Sequence, residues 1–306
     1  TAVSARSQGV KAAVQWGRIW RGEPGIAWRA VFLTIAILAA VAIPALALSA
    51  HYHVLGTDKV GQDVFYLAMK SVRTALVIGG LTTLVSLPIG ILAGIAAGYF
   101  KGWIDDVITY VYTTLNSIPS VLLIASAVLL LQVYIETHQA LFPSTAQRAD
   151  FRLLILCVIL GLTAWTGLAR LLRGEALKLR ELEYVQAARA FGVTDMGIIT
   201  RHLFPNVLHI VLISAVMEFS GLVLAEAVLS YIGVGVDPSM HSFGTMINTA
   251  RLEMAREPMV WWALVAAFGF MFVLVLAANL FADAVRDGFD PRATVGPRAA
   301  LAKATV

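Results

Sequence analysis

Apolar residues run almost unbroken through six stretches of this chain, roughly 30–50, 74–98, 107–133, 153–172, 208–234 and 259–282. About 20 mostly apolar residues suffice for a helix to cross the hydrocarbon core of a bilayer, so each stretch predicts a membrane-spanning helix. Polar residues gather between these stretches. With an N-terminus inside, Lys and Arg number about 16 on the cytosolic side against about 7 outside, which predicts that both termini are cytoplasmic. The outer connections, about 23, 20 and 24 residues long, predict short helices or flaps on the membrane surface. A cleavable signal peptide is not expected, because the first apolar run follows a basic segment (Arg6, Lys11, Arg18, Arg21, Arg29) and is long enough to span.

Composition strengthens the membrane reading: 59% of the 306 residues are hydrophobic and only 14% charged. The net charge of +4 fits the cytosolic excess of Lys and Arg better than a nucleic-acid surface. The single cysteine, Cys157, lies in an apolar run, which excludes an internal disulfide and a cysteine metal cluster. His51 and His53 alternate at the end of the first run and the other four histidines are isolated, so no metal-ligand pair is expected.

Within the spans, Gly90, Gly94 and Gly98 recur every four residues and predict one bare helix face for close packing. Asn116, Ser117 and Pro119 interrupt the third run, which predicts a kink that lines a pathway or simply packs. Glu218 and Glu226 are costly at membrane depth and lie about 80° apart around a helix; a polar path and a structural hydrogen bond are both open for them.

The stretch EYVQAARAFGVTDMGIITRHLFPN, residues 183–206, stands between the fourth and fifth runs. Tyr184, Ala187, Ala188 and Phe191 share one helical stripe, while Glu183, Gln186 and Arg189 fall on another side. Gly192 supplies a break, Thr194 or Asp195 can cap a second short helix, and Pro205 is expected to stop it before the next span. Such a helix–turn–helix either docks in a socket on another protein or rests on the membrane interface.

This stretch resembles the cytoplasmic signature loop of binding-protein-dependent ABC importer permeases, written EAA, three residues, Gly, nine residues, Ile-x-Leu-Pro. Here Gln186-Ala187-Ala188 is followed after three residues by Gly192 and, after nine more, by His202-Leu203-Phe204-Pro205. Gln186 replaces Glu, His202 replaces Ile and Phe204 replaces Leu, with the spacing kept. LGTDKVGQDVFYLAMKSVRTAL (55–76), AEAVLSYIGVG (225–235), SFGTMI (242–247) and VRDGFDP (285–291) are similar, in order, to further segments of the peptide and nickel branch of these permeases.

The resemblance implies an all-α integral membrane protein of six transmembrane helices with the type I ABC importer permease fold, two such subunits enclosing one pathway. It implies a cytosolic basic segment over 1–29, a first helix and outer segment over 30–73, a five-helix core over 74–282 with the coupling loop at 173–206, and a cytosolic tail over 283–306. Glu183, Tyr184, Gln186, Ala187, Ala188, Arg189, Gly192, His202 and Pro205 fall on its ATPase-coupling positions, and Asn116, Pro119, Glu218 and Glu226 are the candidates for the pathway. The implied partners are a second homologous permease, two ATP-binding subunits, an extracytoplasmic solute-binding protein and membrane lipid, in a bacterial inner membrane. No phosphate-binding loop of the form G-x-x-x-x-G-K-[ST] occurs, so ATP and Mg belong on the partner subunits, with no cofactor on this chain and no enzymatic activity of its own. The implied cargo is a di- or oligopeptide, with nickel chelates or glutathione as alternatives in the same family. From a different class, an ion-gradient-driven secondary transporter would also use intramembrane carboxylates but would not need the loop spacing.

Overall fold

The computed structural model describes residues 28–49, 51–138, 144–255, 257 and 259–289. The N-terminal arginines up to Arg21 and the expected C-terminal tail from residue 290 lie outside these. The chain divides into two compact units, residues 1–56 and 57–306. The first holds helix α1, Trp28–Ser49, whose 22 residues are enough for one span.

In the second unit the described residues form α2 (Val64–Phe100), α3 (Gly102–Ser117), α4 (Ser120–Thr137), α5 (Thr145–Leu179), α6 (Glu183–Ala190), α7 (Asp195–Ile198), a π-turn (Ile199–Leu203), α8 (Phe204–Tyr231), α9 (Phe243–Met254) and α10 (Trp262–Phe289). Five rods here are long and apolar enough to cross a membrane: Val64–Phe100, Ser120–Thr137, Thr145–Leu179, Asp195–Tyr231 and Trp262–Arg286. With α1 they make the six expected spans.

The core is built on α2 and α5, of 37 and 35 residues. At about 1.5 Å per residue both exceed the thickness of the hydrocarbon core, so they project beyond it. The glycine face of α2 lies directly on α5. A Cβ at Gly94 would come within 2.7 Å of the Ala169 carbonyl oxygen, and one at Gly98 within 2.6 Å of that of Arg173. Gly161 of α5 returns the contact, since a Cβ there would sit 2.6 Å from Val85. With no side chain between them the two backbones reach dispersion contact along several turns, the main source of helix association where water offers no hydrophobic drive.

The structure departs from the predicted spans in three places. The apolar run 107–133 is two helices rather than one kinked helix: Ile118 has φ −93° and ψ 131°, an extended conformation between α3 and α4. Pro119 enforces this, because its ring disfavours the helical region for the residue before it and its nitrogen cannot donate. The expected outer segments are partly helix extensions, since residues 64–73 belong to α2 and 145–152 to α5, while α9 is the separate short helix. Finally, Pro205 does not stop a helix. The Phe204 N–H donates to the Ile199 carbonyl five residues back, and this wider turn carries α7 into α8 with Pro205 in the first turn of α8.

Candidate functional site: a helix–turn–helix locked to the ends of α2 and α5

The loop after α5 begins with α6, whose sequence has one buried and one open face. Val185 is buried and Ala188 packs beside it on Ile95, Leu168, Leu172, Ile198 and Leu203. Gly192 then takes φ +77°, the left-handed region where a Cβ is unfavourable, and turns the chain. The Thr194 side chain accepts from the Gly197 N–H at 3.2 Å and caps α7. That leaves Asp195 free for a tertiary contact.

Tyr99, in the last turn of α2, is the hub of that contact. Its hydroxyl donates to Asp195 Oδ1 at 2.6 Å, the Arg189 guanidinium lies 5.2 Å from its ring centroid, and Arg180 Nη1 donates to its carbonyl oxygen at 2.6 Å. Arg189 also approaches Asp195 at 3.9 Å. Lys101, a non-glycine residue at φ +56°, pairs with Glu181 at 3.0 Å and holds that exposed carboxyl below its ordinary range. One turn away Arg173 of α5 forks onto both oxygens of Asp105 in α3, at 2.5 and 2.7 Å. This hydrogen bonding holds the Asp105 carboxyl below the usual carboxylate range.

Other expected loop residues meet on a second side. Tyr184 and His202 have ring centroids 5.9 Å apart, and Asn206 Nδ2 donates to the Tyr184 hydroxyl at 3.2 Å and to the His202 carbonyl at 2.6 Å. Gln186 Nε2 donates to the Glu181 carbonyl at 3.0 Å. The glutamate of the general motif could not make that bond, since a carboxylate only accepts. Glu183, Ala187, Gly192 and Pro205 are exposed. Beyond them project Phe191, 87% exposed and the most exposed large apolar side chain among the described residues, and Met196, 69% exposed.

The four candidate pathway residues do not form one cluster. Asn116, exposed, accepts from Thr166 Oγ1 of α5 at 3.1 Å, and Pro119 is exposed at the α3–α4 break. Glu218 lies half-buried with its carboxylate beside the Ser86 hydroxyl of α2. Glu226 is fully buried and accepts from Ser230 Oγ, close to Ser242, the cap of α9. Gly244 brings α9 onto this point, where a Cβ would lie 2.3 Å from the Ala227 carbonyl oxygen. Sequence reasoning missed Tyr99, Lys101, Asp105, Arg173, Arg180 and Glu181. The one signal was Tyr-Phe-Lys-Gly closing an apolar run.

The arrangement defines a class: a polytopic helical membrane protein with a rigidly braced, apolar-tipped helical hairpin standing off one end of its bundle. The model of the binding-protein-dependent transport system inner membrane component family matches residues 88–295, and the chain belongs to that family. It is similar to the oligopeptide transport system permease protein OppC of Mycobacterium tuberculosis, 31% identical over 239 residues, 78% of this chain and 76% of that protein. It is also similar to the glutathione transport system permease protein GsiD of Pectobacterium atrosepticum, 32% identical over 244 residues, 80% of this chain and 73% of that protein. The dipeptide transport system permease protein DppC of Lactococcus lactis is 30% identical over 242 residues, 79% of this chain and 64% of that protein. This chain is thus an integral inner-membrane permease component of an ABC importer, a transport subunit rather than an enzyme, which works with permease and ATPase partners.

Proposed function

We propose that this chain forms half of the translocation pathway of an ATP-driven importer for di- or oligopeptides, and that residues 183–206 couple it to the ATPase. A second, homologous permease completes the pathway, two ATP-binding subunits carry ATP and Mg, and an extracytoplasmic binding protein delivers the solute. Both termini and the loop are cytoplasmic on this reading, in keeping with the Lys and Arg bias. The cargo class is supported by relatives named for oligopeptide, dipeptide and glutathione transport, all peptides.

The observation that carries the coupling role is the pairing of Phe191 and Met196, 87% and 69% exposed, with a Tyr99 hub behind them that is 1% exposed. An aromatic and a thioether held out from a braced loop suit an apolar socket on another protein. A load on that tip passes through Asp195 and Arg189 to Tyr99, and so into α2, and through Arg180 into α5. Glu183, Ala187 and Gly192 are also exposed on the hairpin, and Tyr184, Gln186, Ala188, His202 and Pro205 shape it. Asn116, Pro119, Glu218 and Glu226 are retained as pathway candidates, Glu218 with its carboxylate beside Ser86.

Phe191→Glu tests the reading. It should leave the chain in the membrane and cut recovery of the ATPase with the purified permease at least tenfold. Unchanged recovery would show that the hairpin rests on lipid instead.

A further inference from the structure

A cleft of about 760 Å³ opens beside the hairpin, where the ends of α5, α8 and α10 meet. Among the described residues its lining carries Arg170, Lys178, His209 and Arg286 with one acid, Glu175. Glu175 is taken by Lys178 at 3.1 Å, and Arg170 is steadied at 5.8 Å from the Tyr112 ring centroid. Among the described residues neither Arg170 nor Arg286 has an acidic partner. Two guanidinium groups thus line one cleft.

The opposite wall is apolar. Ile210, Ile213 and Met217 follow one another along α8 away from the rim, Met217 being 60% exposed, and Leu171 of α5 is 58% exposed. From His209 to Met217 this wall runs about 12 Å along the helix, most of the roughly 15 Å depth of one leaflet's acyl chains. Cations at the helix ends over an apolar wall reproduce the polarity of an anionic phospholipid from headgroup to chain. Basic recesses between spanning helices are where such headgroups bind. A peptide in transit would need matching acids for its amino end, and among the described lining residues the one acid is Glu175, which Lys178 occupies.

We propose that this cleft binds an anionic phospholipid, its phosphate held by Arg170 and Arg286 and its acyl chain laid along Ile213 and Met217. The lipid would bridge α5, α8 and α10 next to the hairpin and set their spacing. The inference is independent of the solute and of which face of the membrane the hairpin occupies. It needs only that these helices span.

The test uses the purified full chain in neutral detergent and reads its Tm during titration with dioleoyl phosphatidylglycerol, dioleoyl phosphatidylcholine or inorganic phosphate. Phosphatidylglycerol should raise the Tm and phosphatidylcholine should not. The Arg170→Gln/Arg286→Gln variant should lose at least half of that rise, and the double Lys variant should keep it. Arg286→Gln alone, at an exposed position, serves if the double variant does not accumulate, and its rise should fall measurably. A wild-type response in the Gln variants overturns the proposal, as does an equal rise with phosphatidylcholine. An equal rise with phosphate alone would make the cleft a soluble-anion site and overturn it too. So would protection given by a copurified permease subunit and not by phosphatidylglycerol.

Discussion

Tyr99 serves three neighbours with three different parts of one residue: hydroxyl to Asp195, ring to Arg189 and carbonyl to Arg180. Tyr99→Phe keeps the ring and the carbonyl and removes only the bond to Asp195. The expected cost is about 0.5–1.5 kcal/mol in thermal unfolding, together with a drop in ATP-dependent uptake larger than the loss of folded protein. Equal losses in the two measurements would reduce Tyr99 to packing. None of this was legible in the chain, because Tyr99 and Asp195 are 96 positions apart and no periodicity joins them. What could be read was the local chemistry. Gly192 at the turn was legible because only a left-handed residue closes it, and Thr194 or Asp195 as cap because both side chains can accept; the tertiary bond from Tyr99 decides between those two.

At the level of elements, the glycines of α2 were the clearest signal, because a four-residue repeat of bare positions has one physical use between helices. Gly94→Val tests it. A Cβ at this position would stand 2.7 Å from the Ala169 carbonyl oxygen, so α2 and α5 must separate, at an expected cost of about 1–3 kcal/mol and a lower Tm in detergent. The α3–α5 tie can be tested by pH. Asp105 titrates below the ordinary range because Arg173 favours its charged form. Such a group stabilises the fold above its unfolded value of about 3.9, and that contribution is lost as pH falls through the lower folded value. Asp105→Asn should therefore lower the Tm at pH 7, while wild type and variant begin to converge only below about pH 4 and meet once pH has fallen beneath the lower folded value. Parallel curves throughout would mean that the pair contributes nothing. The broken third run and the π-turn were less legible: Pro119 and Pro205 each announce a disturbance, but only the surrounding hydrogen bonds decide between a break and a wide turn.

For the whole molecule, six apolar runs and the spacing from Gln186 to Pro205 made the architecture and the hairpin readable, since hydropathy and turn residues act locally. The candidate pathway was not readable to the same degree. Glu226 could face a path or a hydrogen bond, and it is fully buried against Ser230. On the proposed function, solute movement draws its energy from ATP through the hairpin. The most direct measurement is peptide uptake into vesicles holding the reconstituted importer, with ATP inside or absent and ionophores present. Uptake that requires ATP, survives collapse of proton and sodium gradients and falls at least tenfold in Phe191→Glu is the predicted result. Uptake that follows an ion gradient and ignores both ATP and Phe191 would contradict it.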